Sequence, residues 1–303
     1  MPSSQTLNRR RFLKVSGVAA ALTFDTLPLQ ARMETDSPAP PKPVAVKPPA
    51  GRIGKLEVTR LICGGNLFSG FAHSGDLLYV HSLLQHYFTD EKILDTLQLC
   101  EESGINTTIL RTDEQIIRVL RRYRAERRGK IQWIAQTYPE PGNLRDNIKL
   151  AIDNGAVGAY CMGGVADDTF VKAGKAELLG EVVSFIKQNG LVAGIGSHSL
   201  ETAIIAEQQR FDPDFYFKTF NSVGYFSQDT RDVAALMRTI RKPWIAFKVL
   251  GAGRVLPNEG FDLAFKNGAD FINVGMYDFQ VPSNVSLVCE IVKRHERRDR
   301  TWA

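Results

Sequence analysis

The chain has 303 residues, 44% of them hydrophobic and 17 of them Phe, with a net charge of +5. That length carries one barrel-sized domain with a large core. Four basic residues against Asp25 within positions 1–31 supply most of the excess charge, so the remainder is too weakly basic to argue for a nucleic-acid partner.

The first stretch with meaning is NRRRFLKVSGVAAALTF, a positive segment followed by a short, mildly apolar one. NRRRFLK resembles the twin-arginine export consensus, with Arg9 and Arg10 as the pair and Phe12, Leu13 and Lys14 following. The resemblance implies a signal peptide over 1–31, the twin-arginine translocase as export partner, and a periplasmic or other extracytoplasmic location. The apolar part is too short for a stable transmembrane span, and no other run reaches about 18 apolar residues. Residues 32–54 follow as a linker, with six prolines between 38 and 49, and read as an extended tether. Cys63, Cys100, Cys161 and Cys289 lack CxxC spacing and sit in apolar patterns, as buried free thiols do.

From residue 55 to 295, short apolar runs alternate with helical patterns. The runs are TRLICGGN, INTTILR, IQWIAQT, VGAYCMGG, LVAGIGSHS, DFYFKTFN, WIAFKVLGAG and DFINVGMYD. Helix starts at Thr89 and Ser199 are marked by capping side chains, and a helix end is marked by Gly104. Eight strands alternating with helices predict an α/β fold, a single (β/α)8 TIM barrel, with 296–303 as a charged tail. An open doubly wound sheet fits less well, because Gly64-Gly65-Asn66 leads into a long loop instead of a GxGxxG turn.

Barrels do chemistry at the C-terminal ends of their strands. Those ends carry Asn66, Arg111, Gln136, Met162, His198, Lys218, Asn221, Lys248 and Asp278. The long stretch 66–88, with Phe71, His73, His81 and His86, is a natural lid. Asn66, His73, Gln136, Asn221 and Asp278 are therefore candidates for contact with a small-molecule substrate. His73, His81 and His86 do not share a helical face, so no metal site is expected. Gly251, Gly253 and Arg254 of GAGR, next to Ser283 and Asn284 at the start of the last helix, could clamp a phosphate; the alternative is an ordinary left-handed turn and a helix cap.

GKLEVTRLICGGNLFSG followed by FTDEKILDTLQLCEESGINTT resembles the opening of the aldo-keto reductases. The resemblance implies a carbonyl-reducing oxidoreductase with NADP or NAD as cofactor and a carbohydrate-like or other small carbonyl substrate. It also implies a catalytic Asp, Tyr, Lys and His. Here Ile109, Thr137 (beside Gln136) and Gly163 stand at three of those positions, and no tyrosine follows the second strand until Tyr123.

Two lysines interrupt apolar strands, in DFYFKTFNS and WIAFKVLGAG. By alternation Lys218 shares a face with Tyr216 and Phe220, and Lys248 with Ala246 and Leu250. If that face is the interior, Lys218, Lys248 and His198 converge as a catalytic centre, and the two ammonium groups together depress one pKa, giving a neutral amine able to attack a carbonyl. FKTFNSVGYF and FKVLGAGR are similar to the lysine strands of class I aldolases of the deoxyribose-phosphate type, which implies Schiff-base lyase chemistry as an alternative. A lysine that is salt-bridged to a carboxylate such as Asp278 or points outward between the helices, and a non-catalytic ligand-binding barrel, are the remaining readings.

Overall fold

The computed structural model describes residues 41–73 and 77–303. The expected signal peptide, and the tether up to residue 40, lie outside the described residues. The end of the expected tether does not behave as linker. Ala50–Ile53 (β1) and Leu56–Thr59 (β2) form an antiparallel hairpin that turns at Gly54, whose φ is +56°.

All eight predicted runs form parallel strands. They are β3 (Leu61–Gly64), β4 (Thr107–Arg111), β5 (Gln132–Thr137), β6 (Gly158–Cys161), β7 (Val192–Ser197), β8 (Phe215–Thr219), β9 (Trp244–Phe247) and β10 (Phe271–Gly275). They pair in chain order, and β10 closes on β3. The described helices are α1 (Val80–Tyr87), α2 (Asp90–Glu102), α3 (Glu114–Glu126), α4 (Asp146–Asp153), α5 (Ala176–Gln188), α6 (Leu200–Gln208), α7 (Thr230–Thr239), α8 (Pro257–Lys266) and α9 (Val281–Arg294). Thr89 and Ser199 cap α2 and α6 as expected, each accepting a backbone N–H, and Gly104 takes a φ of +88° after α2. The long stretch after β3 is not all loop, since it contains α1. No helix among the described residues is long and apolar enough to cross a membrane.

The wall separates two apolar layers. Inside lie Ile62, Ile109, Ile134, Tyr160, Val192, Phe215, Phe217, Ile245, Phe247 and Phe271, with Ile53 and Val58 of the hairpin packed on the same cluster. Outside, against the helices, lie Leu61, Trp133, Ile195, Tyr216, Phe220, Trp244 and Ala246 among others. Gly194 is small because Phe215 fills the interior; a Cβ there would sit 2.3 Å from the Phe215 ring. Cys63, Cys100 and Cys161 are buried thiols, while Cys289 is half-buried.

The C-terminal residues are not a solvated tail. Asp270 is fully buried and accepts from Trp244 N (2.9 Å), Ala303 N (3.0 Å), Arg298 (2.7 Å) and Arg300. Arg60 donates to the Asp270 carbonyl (3.0 Å) and the Ala303 carbonyl (2.7 Å), and Trp302 stacks on Arg60 and Arg298. Burial lowers the Arg60 and Arg298 pKa values to about 10, and Asp270 opposes that shift. A chain terminus held by this many charge-assisted bonds is part of the barrel.

Candidate active site at the barrel mouth

The two lysines, matched in sequence, part company in space. Phe215 and Phe217 face inward, so alternation turns Lys218 outward into the layer beneath the helices. There it is fully buried and donates to the His198 carbonyl (2.7 Å), Thr219 Oγ1 (3.2 Å) and Gln228 Oε1 (3.3 Å). Burial lowers its pKa to about 8, partly offset by Asp167. The expected shared interior face is therefore not what the structure contains. Nor does either lysine depress the other, since burial is the only lowering cause for each.

Lys248 escapes the alternation because its backbone turns over. The strand ends at Phe247, and Lys248 takes a φ of +56°, a conformation costly for a residue with a Cβ. The turn carries its side chain into the mouth, against the rings of Phe226 (5.0 Å), Tyr225 (5.5 Å) and Phe247 (6.0 Å). Its Nζ lies 3.3 Å from His73 Nε2 and makes no ion pair among the described residues. Burial lowers the Lys248 pKa to about 8.

Lys248 borders a cavity of about 340 Å³, lined also by Gly64, Asn66, His73, Tyr225, Phe247 and Asn273. No Asp or Glu is among its described lining residues. Asn66 Nδ2 meets His73 Nε2 at 3.0 Å, so His73 accepts from both neighbours and carries its proton on Nδ1. Burial first, then Lys248 and His198, lower the His73 pKa to about 4; its outer edge is exposed, and solvent tempers the lowering. Lys248 and His198 pack against the same two rings, Phe226 and Phe247, although only Lys248 borders the cavity. The Tyr225 hydroxyl donates to the His73 carbonyl (2.7 Å), tying the lid to the loop after β8. A shallower hollow of about 420 Å³ on the flank, between Arg145, Glu181 and Arg210, holds none of the predicted site residues.

His198 continues the interior face of β7, and its ring packs 5.5 Å from Phe247 and 5.8 Å from Phe226. Its Nδ1 lies 3.1 Å from Asp167 Oδ2. Asp167 follows β6 in a π-helical segment, Val165–Val171, and is almost wholly buried. It also accepts from the His198 N–H (2.6 Å), the Ser199 N–H (3.3 Å) and Thr202 Oγ1 (2.6 Å). An acceptor-only carboxylate places the imidazole proton on Nδ1, leaving Nε2 as a base with no hydrogen bond among the described residues.

The other predicted residues divide. Gln136 stands at the top of the interior face, accepting from the Tyr160 hydroxyl (2.7 Å) and donating to Tyr138. Asn221 is buried and organises its own loop, accepting from Tyr225 N and donating to Tyr225 O, both at 2.9 Å, so it shapes the site without reaching it. Asp278 is committed within the protein: it accepts from Tyr87 (2.6 Å) and pairs with Lys92 (2.9 Å), clasping α1 and α2, and it is not among the cavity's lining residues. It partners neither strand lysine.

In the loop after Lys248, Gly251, Ala252 and Gly253 are all left-handed, with φ of 52°, 58° and 83°. Arg254 folds back on the Gly251 carbonyl (3.0 Å) and over Tyr225 (4.8 Å). Ala252, Gly253 and Gln280 border the cavity, so loop and helix start do meet there. Ser283, however, donates to the Gln280 carbonyl (3.0 Å) and Asn284 is buried under α9.

The sequence reading missed Asp167, Tyr225, Phe226 and Asn273. Asp167 and Asn273 had a legible signal: a carboxylate just past a strand, and an amide inside the apolar run FINVG. Asn273 Oδ1 is buried with no partner, which costs about 1–3 kcal/mol unless a ligand donates to it.

No family model matches the sequence, and no curated protein does. Solved structures do match. A Pseudomonas aeruginosa protein described as an aldo-keto reductase aligns with a TM-score of 0.61 at 16% identity, over 85% of this chain and 99% of that one. The glycerol dehydrogenase of Gluconobacter oxydans aligns at 0.54 and 12%, over 84% and 98%. A dihydropteroate synthase from Yersinia pestis aligns at 0.52 and 12%, over 82% and 100%. Reductases and a synthase share the likeness, so what this chain has in common with all of them is the (β/α)8 barrel.

Proposed function

We propose that the chain is an enzyme of carbonyl chemistry, an aldo-keto-reductase-like oxidoreductase acting on a small carbonyl compound at the barrel mouth, exported by the twin-arginine route. One observation carries this reading: an ammonium group, Lys248, held at the cavity by aromatic rings and a neutral imidazole with no carboxylate to neutralise it. Such a group polarises a carbonyl oxygen and takes up the charge that develops on it. With its pKa lowered to about 8, Lys248 also gives up a proton more readily than an ordinary lysine, as a general acid near neutrality should. It would do the work for which the aldo-keto reductases use the tyrosine that has no counterpart here. His73 orients the ammonium, and His198, held by Asp167, offers a base beside the Phe226 and Phe247 rings that Lys248 also touches.

The residues fit a nicotinamide dinucleotide, NADP or NAD. Asn273 offers a buried, unsatisfied acceptor for a carboxamide N–H, and the Gly251–Gly253 turn with Arg254 offers a rim for phosphates. When bound, the dinucleotide would supply hydride to the carbonyl carbon. Export of folded protein would carry it out already seated.

The same lowered pKa favours a second reading, in which the neutral amine of Lys248 attacks the carbonyl and forms a Schiff base. One set of assays separates the two. In the reductase reading, protein purified folded binds NADPH or NADH and oxidises it with small aldehydes, and Lys248→Met lowers turnover on the order of 10²–10³-fold. In the lyase reading, borohydride with an aldehyde leaves a covalent mass increment on Lys248 and none on Lys218. A protein that neither consumes either dinucleotide nor traps any carbonyl in a broad panel would sink both.

A further inference from the structure

Three strands round the wall from Lys248, the mouth has a second cation built for a ligand. Arg111 ends β4 on the interior face, in register with Gln136. Its guanidinium lies over Phe71 (4.9 Å) and over Tyr138 (4.7 Å). Nε donates to Asp113 Oδ2 at 3.1 Å, while Asp113 Oδ1 caps α3 by accepting from Ile116 N at 3.0 Å. The capped helix therefore fixes the carboxylate, the carboxylate fixes one edge of the guanidinium, and two rings fix its plane. Both Nη groups make no hydrogen bond among the described residues, and the side chain is 29% exposed.

Beside it runs a chain of donors with a definite direction. The buried Tyr160 hydroxyl donates to Gln136 Oε1, which orients the Gln136 amide to donate to the Tyr138 oxygen. The Tyr138 hydroxyl is then left with its own proton to give. Burial raises its pKa, so it remains a donor. Two free Nη edges and a hydroxyl proton, with no uncommitted carboxylate at hand, form a receptor for an anion. The planar fork of Arg suits a carboxylate held through two parallel hydrogen bonds.

Phe71 stacks on Arg111 and lines the cavity that Lys248 borders; Arg111 and Tyr138 lie behind that ring and are not themselves among the cavity's lining residues, so a ligand bridging the two cations would have to pass Phe71. In barrel order β10 and β3 stand between β9 and β4. Three strand spacings of about 4.8 Å put the two strands roughly 14 Å apart along the wall, and both side chains reach inward from it. We infer that the substrate is an oxo acid whose carboxylate is held by Arg111 and Tyr138 several atoms away from the carbonyl that meets Lys248. This rests on the carbonyl reading of Lys248 for its second half only.

Calorimetry with three probes on the full-length protein separates the halves. Butanoate carries the carboxylate without the carbonyl, butanal the carbonyl without the carboxylate, and 4-oxobutanoate both. The expectation is that 4-oxobutanoate binds more tightly than either fragment. Arg111→Met should weaken butanoate and 4-oxobutanoate about tenfold to a hundredfold, the size of one charge-assisted bidentate pair, and leave butanal unchanged. Arg111→Lys, which keeps the charge and stem but loses the fork, should fall between, and near-UV circular dichroism checks that both variants are folded. Butanoate that fails to bind the wild type, or binds Arg111→Met equally well, overturns the inference, as does a preference for inorganic phosphate over butanoate. Butanal chemistry surviving that failure would leave the role of Lys248 standing. Butanoate bound at Arg111 with no carbonyl chemistry anywhere would do the reverse.

Discussion

The two ends of this barrel treat buried charge in opposite ways. At the end closed by the C-terminal residues, three guanidiniums surround Asp270, and each donates to it or to a backbone carbonyl nearby. At the mouth, Lys248 has rings and a neutral imidazole for company, and the Nη groups of Arg111 have no partner among the described residues. The first arrangement spends every hydrogen bond on the protein itself; the second leaves them available to something else. Damage at the closed end should therefore cost folding, and damage at the mouth should cost binding or turnover.

The sharpest way to break that contrast is at Asp270. Asp270→Ala leaves Arg298 and Arg300 buried without their carboxylate and Trp244 N without its acceptor. Removal of one member of such a cluster is expected to destabilise the fold by about 3–5 kcal/mol, read as a fall in the denaturant midpoint. A truncation after residue 297 should lose a comparable amount, because it takes away both arginines and Trp302 together. Lys248→Met, by contrast, should leave the midpoint close to that of the wild type while lowering carbonyl turnover on the order of 10²–10³-fold. If the two variants lost stability equally, the distinction between the ends would fail.

Lys218 tests the comparison from the middle. It is a buried cation like those of the closed end, yet its partners are neutral oxygens. Lys218→Met relieves a desolvated charge but leaves the His198 carbonyl and Gln228 Oε1 without a donor. A net loss of about 1–3 kcal/mol is expected from those unsatisfied acceptors. Borohydride trapping of an aldehyde, where it occurs, should be the same in Lys218→Met as in the wild type. Loss of the adduct there would return Lys218 to the chemistry.

The reason these two lysines could not be told apart in sequence is specific. Strands of a parallel barrel are apolar on both faces, so DFYFKTFN offers aromatic residues to either parity and no polar face to orient it. Lys248 then breaks alternation altogether through a left-handed backbone, which no spacing rule anticipates. The barrel itself was legible because eight apolar runs, helix caps at Thr89 and Ser199 and a break at Gly104 all agree with one architecture. The position of His198 was legible too, since Gly194, which makes room for the Phe215 ring, and Gly196, which lets the backbone after β6 approach, mark the inward face of β7. The C-terminal arginines were not. RRDR reads as solvated charge until Asp270, some thirty positions away in the chain, is placed beneath it.

The smallest expected effect is a pH dependence, and it separates the two chemistries at Lys248. The folded-state pKa is lowered from 10.5 to about 8 by burial. The group is therefore mostly an ammonium below pH 8 and mostly a free amine above it. If Lys248 donates a proton to the carbonyl oxygen, kcat/KM should fall about tenfold per pH unit above 8. Lys248→Arg, which cannot lose its proton in that range, should be slower throughout but without that decline. If Lys248 instead attacks the carbonyl, the rate of adduct formation should rise up to pH 8 and then level off, and Lys248→Arg should form no adduct at any pH. The stability effect has its own sign. A depressed lysine pKa means that the unfolded chain binds the proton more tightly between pH 8 and 10.5, so stability should increase as pH rises through that window. Lys248→Met should remove that increment, although Lys218, lowered to the same value, will leave a second one of the same sign in place.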